Sequence, residues 1–192
     1  MADEIVVFGS MAAGLNRPDS DVDVLCFGER ESKLKSRSLD LIVLPRKSVS
    51  DPAWLQSELA SHVSRYGVWI KGVPEWLNQV GIGEQAVTEK RRRVEAFMRC
   101  LPAAWPTLDQ RFKRKYSIKV RREAQRLLLM RRGQAVPPTR LLDEYWQGLA
   151  AFEGELGEYL HHLAPGGETR FSREFFSLLG QNLSTDPTRR KS

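Results

Sequence analysis

Two short apolar runs bracket a turn that ends in paired carboxylates, and this pattern restricts the first thirty residues more than any other feature of the chain. Ile5 to Phe8 runs into Gly9-Ser10, and Asp21-Val22-Asp23-Val24 runs into Leu25-Cys26-Phe27. Both runs are apolar and contain β-branched or aromatic residues, are too short for a stable helix and are closed by glycine, so each predicts a buried strand. Between them, Gly14, Asn16, Pro18, Asp19 and Ser20 are turn formers, and Met11 to Ser20 predicts a short helix or loop. Strand alternation puts Asp21 and Asp23 on one face with Cα atoms roughly 7 Å apart. Val22 and Val24 take the other face, which is expected to be the one turned to the core. Adjacent carboxylates repel, and a bound cation relieves the repulsion. An all-oxygen donor set suits Mg²⁺, completed by water and phosphate oxygens. Gly9 permits close approach of backbone to a phosphate, and the Ser10 hydroxyl and nearby N–H groups can donate to phosphate oxygens.

With these residues in place, the sequence resembles the nucleotidyltransferase superfamily of DNA polymerase beta, and within it the minimal bacterial members. The shared signature is an apolar residue, Gly, Gly or Ser, about ten further residues, then Asp-apolar-Asp/Glu-apolar. The stretch FGSMAAGLNRPDSDVDV follows it throughout, including the Arg-Pro-Asp-Ser lead-in. A third carboxylate is required on a later strand, and Asp40 is the single acid in the run Ser38 to Leu44. Only sixteen residues separate Asp23 from Asp40, so the helix usual in that interval must be short or absent. If Asp40 did not serve, Glu29 or Glu31 would be the next acids to consider. Taken singly, Asp-x-Asp is as often a solvated strand edge and Gly-Ser only a turn; their order and spacing together carry the resemblance.

The resemblance implies a fold and a reaction. The fold is α+β: a small mixed β-sheet nucleotidyltransferase domain with flanking helices, followed by a mainly helical domain. The reaction is attack of an acceptor hydroxyl on the α-phosphorus of an NTP, with release of pyrophosphate. In such enzymes two Mg²⁺ ions about 4 Å apart clamp the attacking and leaving oxygens; Mn²⁺ can replace Mg²⁺. Asp21 and Asp23 would hold both ions, Asp40 the one nearer the acceptor, and Gly9 and Ser10 the β- and γ-phosphates.

Along the remaining chain, Asp51-Pro52 marks a helix start, with Asp51 as N-cap. Trp54, Leu55, Leu59 and Val63 continue at helical spacing, which predicts one amphipathic helix over 52–66. Gly67 stops it, and Val68 to Lys71 predicts a short strand. The first domain is expected to span 1–82 and the helical domain 83–183, with a disordered basic tail over 184–192. Helical segments are expected over 84–100, 107–132, 139–163 and 173–179. In the second of these, Val120, Ala124, Leu127 and Leu128 form an apolar stripe. The five Trp residues are scattered, as core or interface fillers are, and His161-His162 has no companions at metal-ligand spacing.

Charge is unevenly placed. The chain carries +6, yet residues 90–132 hold fifteen Lys and Arg against three acids, a net of +12, which leaves −6 for the rest. So basic a segment in an otherwise acidic chain points to a polyanion. Lys119, Arg122 and Arg126 are the candidate acceptor-binding residues. RNA, tRNA included, or a protein suits this charge as acceptor better than a cationic aminoglycoside, so an antibiotic nucleotidyltransferase is the weaker reading. The alternative of another class is a catalytically silent module, such as the nucleotidyltransferase-like half of a toxin–antitoxin pair. The intact acidic cluster favours the enzyme. Neither cysteine has a metal-ligand companion, and both are expected to be reduced thiols of a cytoplasmic protein. No apolar run is long enough to span a membrane, and no signal-peptide pattern is present.

Overall fold

The computed structural model describes residues 4–16, 20–72, 74–144, 155–163 and 170–180. Arg17-Pro18-Asp19 of the motif, Tyr145, Trp146 and Leu149 of the third helical segment, the turn at 165–167 and the tail over 184–192 lie outside the described residues. The fold is α+β. Two compact units divide the chain: Met1–Ala86 with Leu129–Leu141, and Val87–Leu128 with Leu142–Ser192.

The first unit holds a five-stranded mixed sheet. Its strands are β1 (Glu4–Phe8), β2 (Val22–Gly28), β3 (Ser32–Lys35), β4 (Leu39–Pro45) and β5 (Val68–Lys71), in the order β3-β4-β2-β1-β5. β2 runs parallel to β4, and the other neighbours are antiparallel. A one-turn helix, α1 (Gly9–Ala12), follows β1 directly.

The covered face of this sheet is not the expected one. Val6, Phe8, Leu25 and Phe27 are buried, whereas Val22 and Val24 are only half-buried. Asp23, Leu25 and Phe27 are alternate residues of one strand, so the carboxylate shares the face that carries the core. Alternation fixes two faces but not which is covered. Trp54, Leu55, Ala60, Val63 and Trp76 decide it by packing onto Val6, Phe8, Leu25 and Phe27. Phe27, Trp54 and Trp76 meet edge to face with centroids 5.5–5.7 Å apart, contacts worth about 0.5–1.5 kcal/mol each beyond area burial.

One local expectation is also corrected. The helix over 52–66 is two helices, α2 (Pro52–Leu55) and α3 (Glu58–Tyr66). Asp51 caps the first as expected, by accepting from the Ala53 N–H at 2.9 Å. Ser57 caps the second by accepting from the Ala60 N–H at 3.0 Å, and this competing cap divides the periodic run. Between Asp23 and Asp40 the helix is absent, within the expectation, and the strand β3, which was not expected, stands in its place. Its alternating Ser32-Lys33-Leu34-Lys35, followed by Ser36-Arg37-Ser38, was the available signal.

Gly67 joins α3 to β5 where nothing larger fits. A Cβ there would lie 2.4 Å from the Val63 carbonyl oxygen and 2.5 Å from Val6 Cγ2. Gly67→Ala is therefore expected to lower stability by about 1–3 kcal/mol, read as a reduced urea midpoint with unchanged slope. An unchanged midpoint would show that β1 and α3 can separate without loss. The returning segment 129–141 is tied to this unit by His62 and Arg140. His62 Nδ1 donates to the Val136 carbonyl at 2.7 Å, and Arg140 donates to the Leu15 carbonyl.

The second unit is helical among its described residues. It contains most of α4 (Glu84–Ala104) and α5 (Gln110–Arg131), with α7 (Glu155–Leu163) and α8 (Arg170–Gly180); α6 (Thr139–Glu144) is divided between the units. The expected stripe Val120, Ala124, Leu127 and Leu128 is buried with Val94, Met98, Trp105, Leu160, Phe175 and Leu179. α5 also buries charge. Lys90 donates to Glu123 at 2.9 Å, and Arg126 donates to the same carboxylate at 2.8 Å. Burial alone would push the Glu123 carboxyl up; the bonds from Lys90 and Arg126 outweigh it and hold it below the usual range. Among the described residues, no helix is long and apolar enough to cross a membrane.

Candidate active site

The acidic cluster is assembled by strand register. In the parallel pair β2/β4, Asp23 stands beside Asp40, as Leu25 stands beside Ile42 and Phe27 beside Leu44. Both carboxylates thus sit at one end of the core face. Asp21 immediately precedes β2. On the other side, Phe8 pairs with Asp23, which brings the β1 end, Gly9 and Ser10 to the same edge.

Gly9 is fixed by geometry on two counts. Its φ of +72° lies in the left-handed region, and a Cβ would meet Asp23 Oδ2 at 2.2 Å. The Gly-Ser turn is therefore pressed against the carboxylate pair, and only glycine leaves Asp23 its place. Ser10 follows within α1 and is half-buried.

The charges confront one another. Burial, then the neighbouring charge of Asp21, then that of Asp40 raise the Asp23 carboxyl to about 6, and Lys35 offsets only part of this. Asp40 is held below the usual carboxylate range, chiefly by the hydrogen bond from Lys35 Nζ to its Oδ2 at 2.8 Å. The same bond raises the lysine. The remaining oxygen, Asp40 Oδ1, is buried without a hydrogen-bond partner among the described residues. Among the described residues, no three His, Cys, Asp or Glu side chains form a ready cage for a metal; the third carboxylate turns one oxygen to Lys35 instead. The donor set nonetheless suits a hard divalent cation: oxygen only, one oxygen orphaned, and one carboxylate strained by its like-charged neighbours. Lys35 is the site residue that motif reasoning passed over.

The other candidates fall in the second unit. Lys119 is exposed, with its ammonium 4.9 Å from the centre of the Phe97 ring. Arg122 makes a two-pronged pair with Asp143, its Nε at 2.8 Å from Oδ1, and Arg126 bonds Glu123. Both guanidinium groups thus hold internal ion pairs. The exposed stripe of α5 lies earlier in the helix: Arg111, Phe112, Lys115 and Lys119, with half-buried Tyr116.

Residues 2–64 match a family model described as a nucleotidyltransferase domain. No curated protein matches the chain. Among solved structures, a spectinomycin adenyltransferase from Enterococcus faecialis, crystallised with ATP and spectinomycin, is similar over 93% of this chain and 88% of its own, at 11% identity and a TM-score of 0.48. The matched stretch, about a third of the chain, contains β1, the Gly9-Ser10 turn and all three carboxylates, and the match supports nucleotidyl transfer.

Proposed function

We propose that this protein is a divalent-metal-dependent nucleotidyltransferase that transfers a nucleoside monophosphate from an NTP to an RNA hydroxyl. The observation that carries the transfer reading is the register of Asp23 beside Asp40, with Gly9 packed onto Asp23. Asp21 and Asp23 would hold the divalent ion, with Asp40 as the third carboxylate. When bound, that ion supplies charge neutralisation at the triphosphate and the departing pyrophosphate. The acceptor oxygen forms a bond to the α-phosphorus, and the bond from that phosphorus to the α–β bridging oxygen breaks. Pyrophosphate leaves with the electron pair, and the acceptor loses its hydroxyl proton. Gly9 and Ser10 bind and orient the phosphates beside the carboxylates. Such catalysis is mostly positioning and electrostatics, which suits a site built from strand ends.

The RNA reading is supported by the exposed stripe of α5. Phe112 and Tyr116 stack with centroids 6.5 Å apart and planes 28° apart. Lys115 lies 6.0 Å from the centre of the Phe112 ring, and Phe112 remains 45% exposed. Cations for phosphates interleaved with an exposed aromatic for bases suit a single strand, each stacked base contributing about 1–3 kcal/mol.

The test is incubation with α-labelled NTPs, Mg²⁺ and total cellular RNA and protein. Label on RNA, with release of pyrophosphate, is expected. Label on protein alone would replace the RNA acceptor, and no transfer with any NTP would favour the silent module. Lys115→Glu with Lys119→Glu should weaken RNA binding by about tenfold or more at low salt and flatten its salt dependence. Nucleotide affinity should be unchanged. An unaltered RNA affinity would make the stripe a merely solvated face.

A further inference from the structure

Lys35 occupies an unusual place for so mobile a side chain. β3 is an edge strand whose four residues are all exposed. Antiparallel register sets Lys35 opposite Asp40, and its ammonium bonds Asp40 Oδ2 at 2.8 Å. The lysine side chain is 65% exposed, while the aspartate's is 14% exposed. Asp40 Oδ1 is buried and has no hydrogen-bond partner among the described residues. The third carboxylate thus carries a tethered monocation on one oxygen and no described group on the other. The antiparallel pairing of β3 with β4 is what brings this lysine within reach.

We propose that Lys35 is the resident counter-ion of Asp40 and competes with the divalent ion for that carboxylate. This rests on the metal-dependent reading above. An ammonium on Oδ2 repels a second cation arriving at the same group, so the bond to Lys35 disfavours a metal ion at Asp40. The Asp21–Asp23 pair is the open part of the site. Asp40 joins it when the lysine swings aside, which a solvated four-carbon stem on an edge strand does readily. Lys35 is therefore a positioning residue. It keeps the acidic cluster partly neutralised before loading and sets the concentration of metal at which the third carboxylate is recruited.

The experiment titrates the full-length, nucleotide-free protein with Mn²⁺ and follows free Mn²⁺ by electron paramagnetic resonance. Lys35→Met is expected to bind Mn²⁺ at least about fivefold more tightly than the wild type. Lys35→Arg, which keeps the charge and the reach, should stay within about twofold of the wild type. Adding Asp40→Asn to Lys35→Met should cancel the gain. Lys33→Met, which removes the same charge from the same strand without a bond to Asp40, should gain clearly less. Equal gains for Lys33→Met and Lys35→Met would reduce the effect to surface charge and overturn the proposal. So would an unchanged affinity in Lys35→Met, while Mn²⁺ binding abolished by Asp23→Asn would leave the metal reading standing. If no variant binds Mn²⁺ with or without ATP, the metal reading itself fails, and the role of Lys35 with it.

Discussion

Asp23→Asn is expected to lower nucleotidyl transfer by about 10³-fold or more and, at the same time, to stabilise the metal-free protein at pH 7. Both effects follow from where the carboxylate sits. Burial, Asp21 and Asp40 raise its pKa from 3.8 to about 6, so the folded chain holds this proton more tightly than the unfolded one. The sign follows by linkage. Below about pH 4 both states are protonated and the group costs no stability; as pH rises from there through about 6 the folded state is progressively penalised, and the penalty is constant above. For a half-buried, partly screened carboxylate the penalty amounts to about 1–2 kcal/mol. Urea melts in EDTA at pH 5 and pH 7.5 read the difference. The wild type should lose stability relative to Asp23→Asn as pH rises, and the variant should be the more stable at pH 7.5. A pH-independent difference would mean that the three carboxylates do not confront one another in the folded chain.

Gly9→Ala should impair the site almost as severely, without touching a charge. The substitution meets a φ of +72° and puts a Cβ 2.2 Å from Asp23 Oδ2. The backbone strain alone costs about 1–2 kcal/mol, and the Asp23 side chain must leave its position. Transfer is expected to fall by about 10²-fold or more, because misplacement by an ångström is enough for such a loss. Gly14→Ala is the control. Gly14 has a φ of +66° but, among the described residues, nothing within 4 Å of an added Cβ. It should lose comparable stability and keep its activity. Equal losses of activity in both variants would assign the effect to backbone strain instead of the contact with Asp23.

The local chemistry of the site was legible because it is written in neighbouring residues. Phe8-Gly9-Ser10 and Asp21-x-Asp23 lie within one strand–turn–strand unit, and their spacing expresses a period of two and a turn. Asp40 was legible as a lone acid in an apolar strand, but its nearness to Asp23 depends on the parallel register of β2 and β4. Lys35 stayed hidden because one short alternating tetrapeptide looks like any polar loop until β4 pairs with it.

Charge shows the same boundary. The excess over residues 90–132 is a property of composition, and the sequence alone established it. Which cations remain available is not. Arg122 and Arg126 are committed to Asp143 and Glu123, while Lys115 and Lys119 are exposed. A guanidinium's partner on another helix is set by packing, which helical periodicity does not encode.

The sequence by itself thus determined β1, β2, β4 and β5, the glycine turn, the paired carboxylates and the apolar stripe of α5, all consequences of short-range periodicity and backbone preference. Only the tertiary structure decided which face of the sheet is buried. Alternation is symmetric between faces, and the symmetry is broken by Trp54, Val63 and Trp76 packing onto Leu25 and Phe27. That choice places Asp23 on the covered side, raises its pKa, and makes the acidic cluster a site in tension instead of a solvated edge.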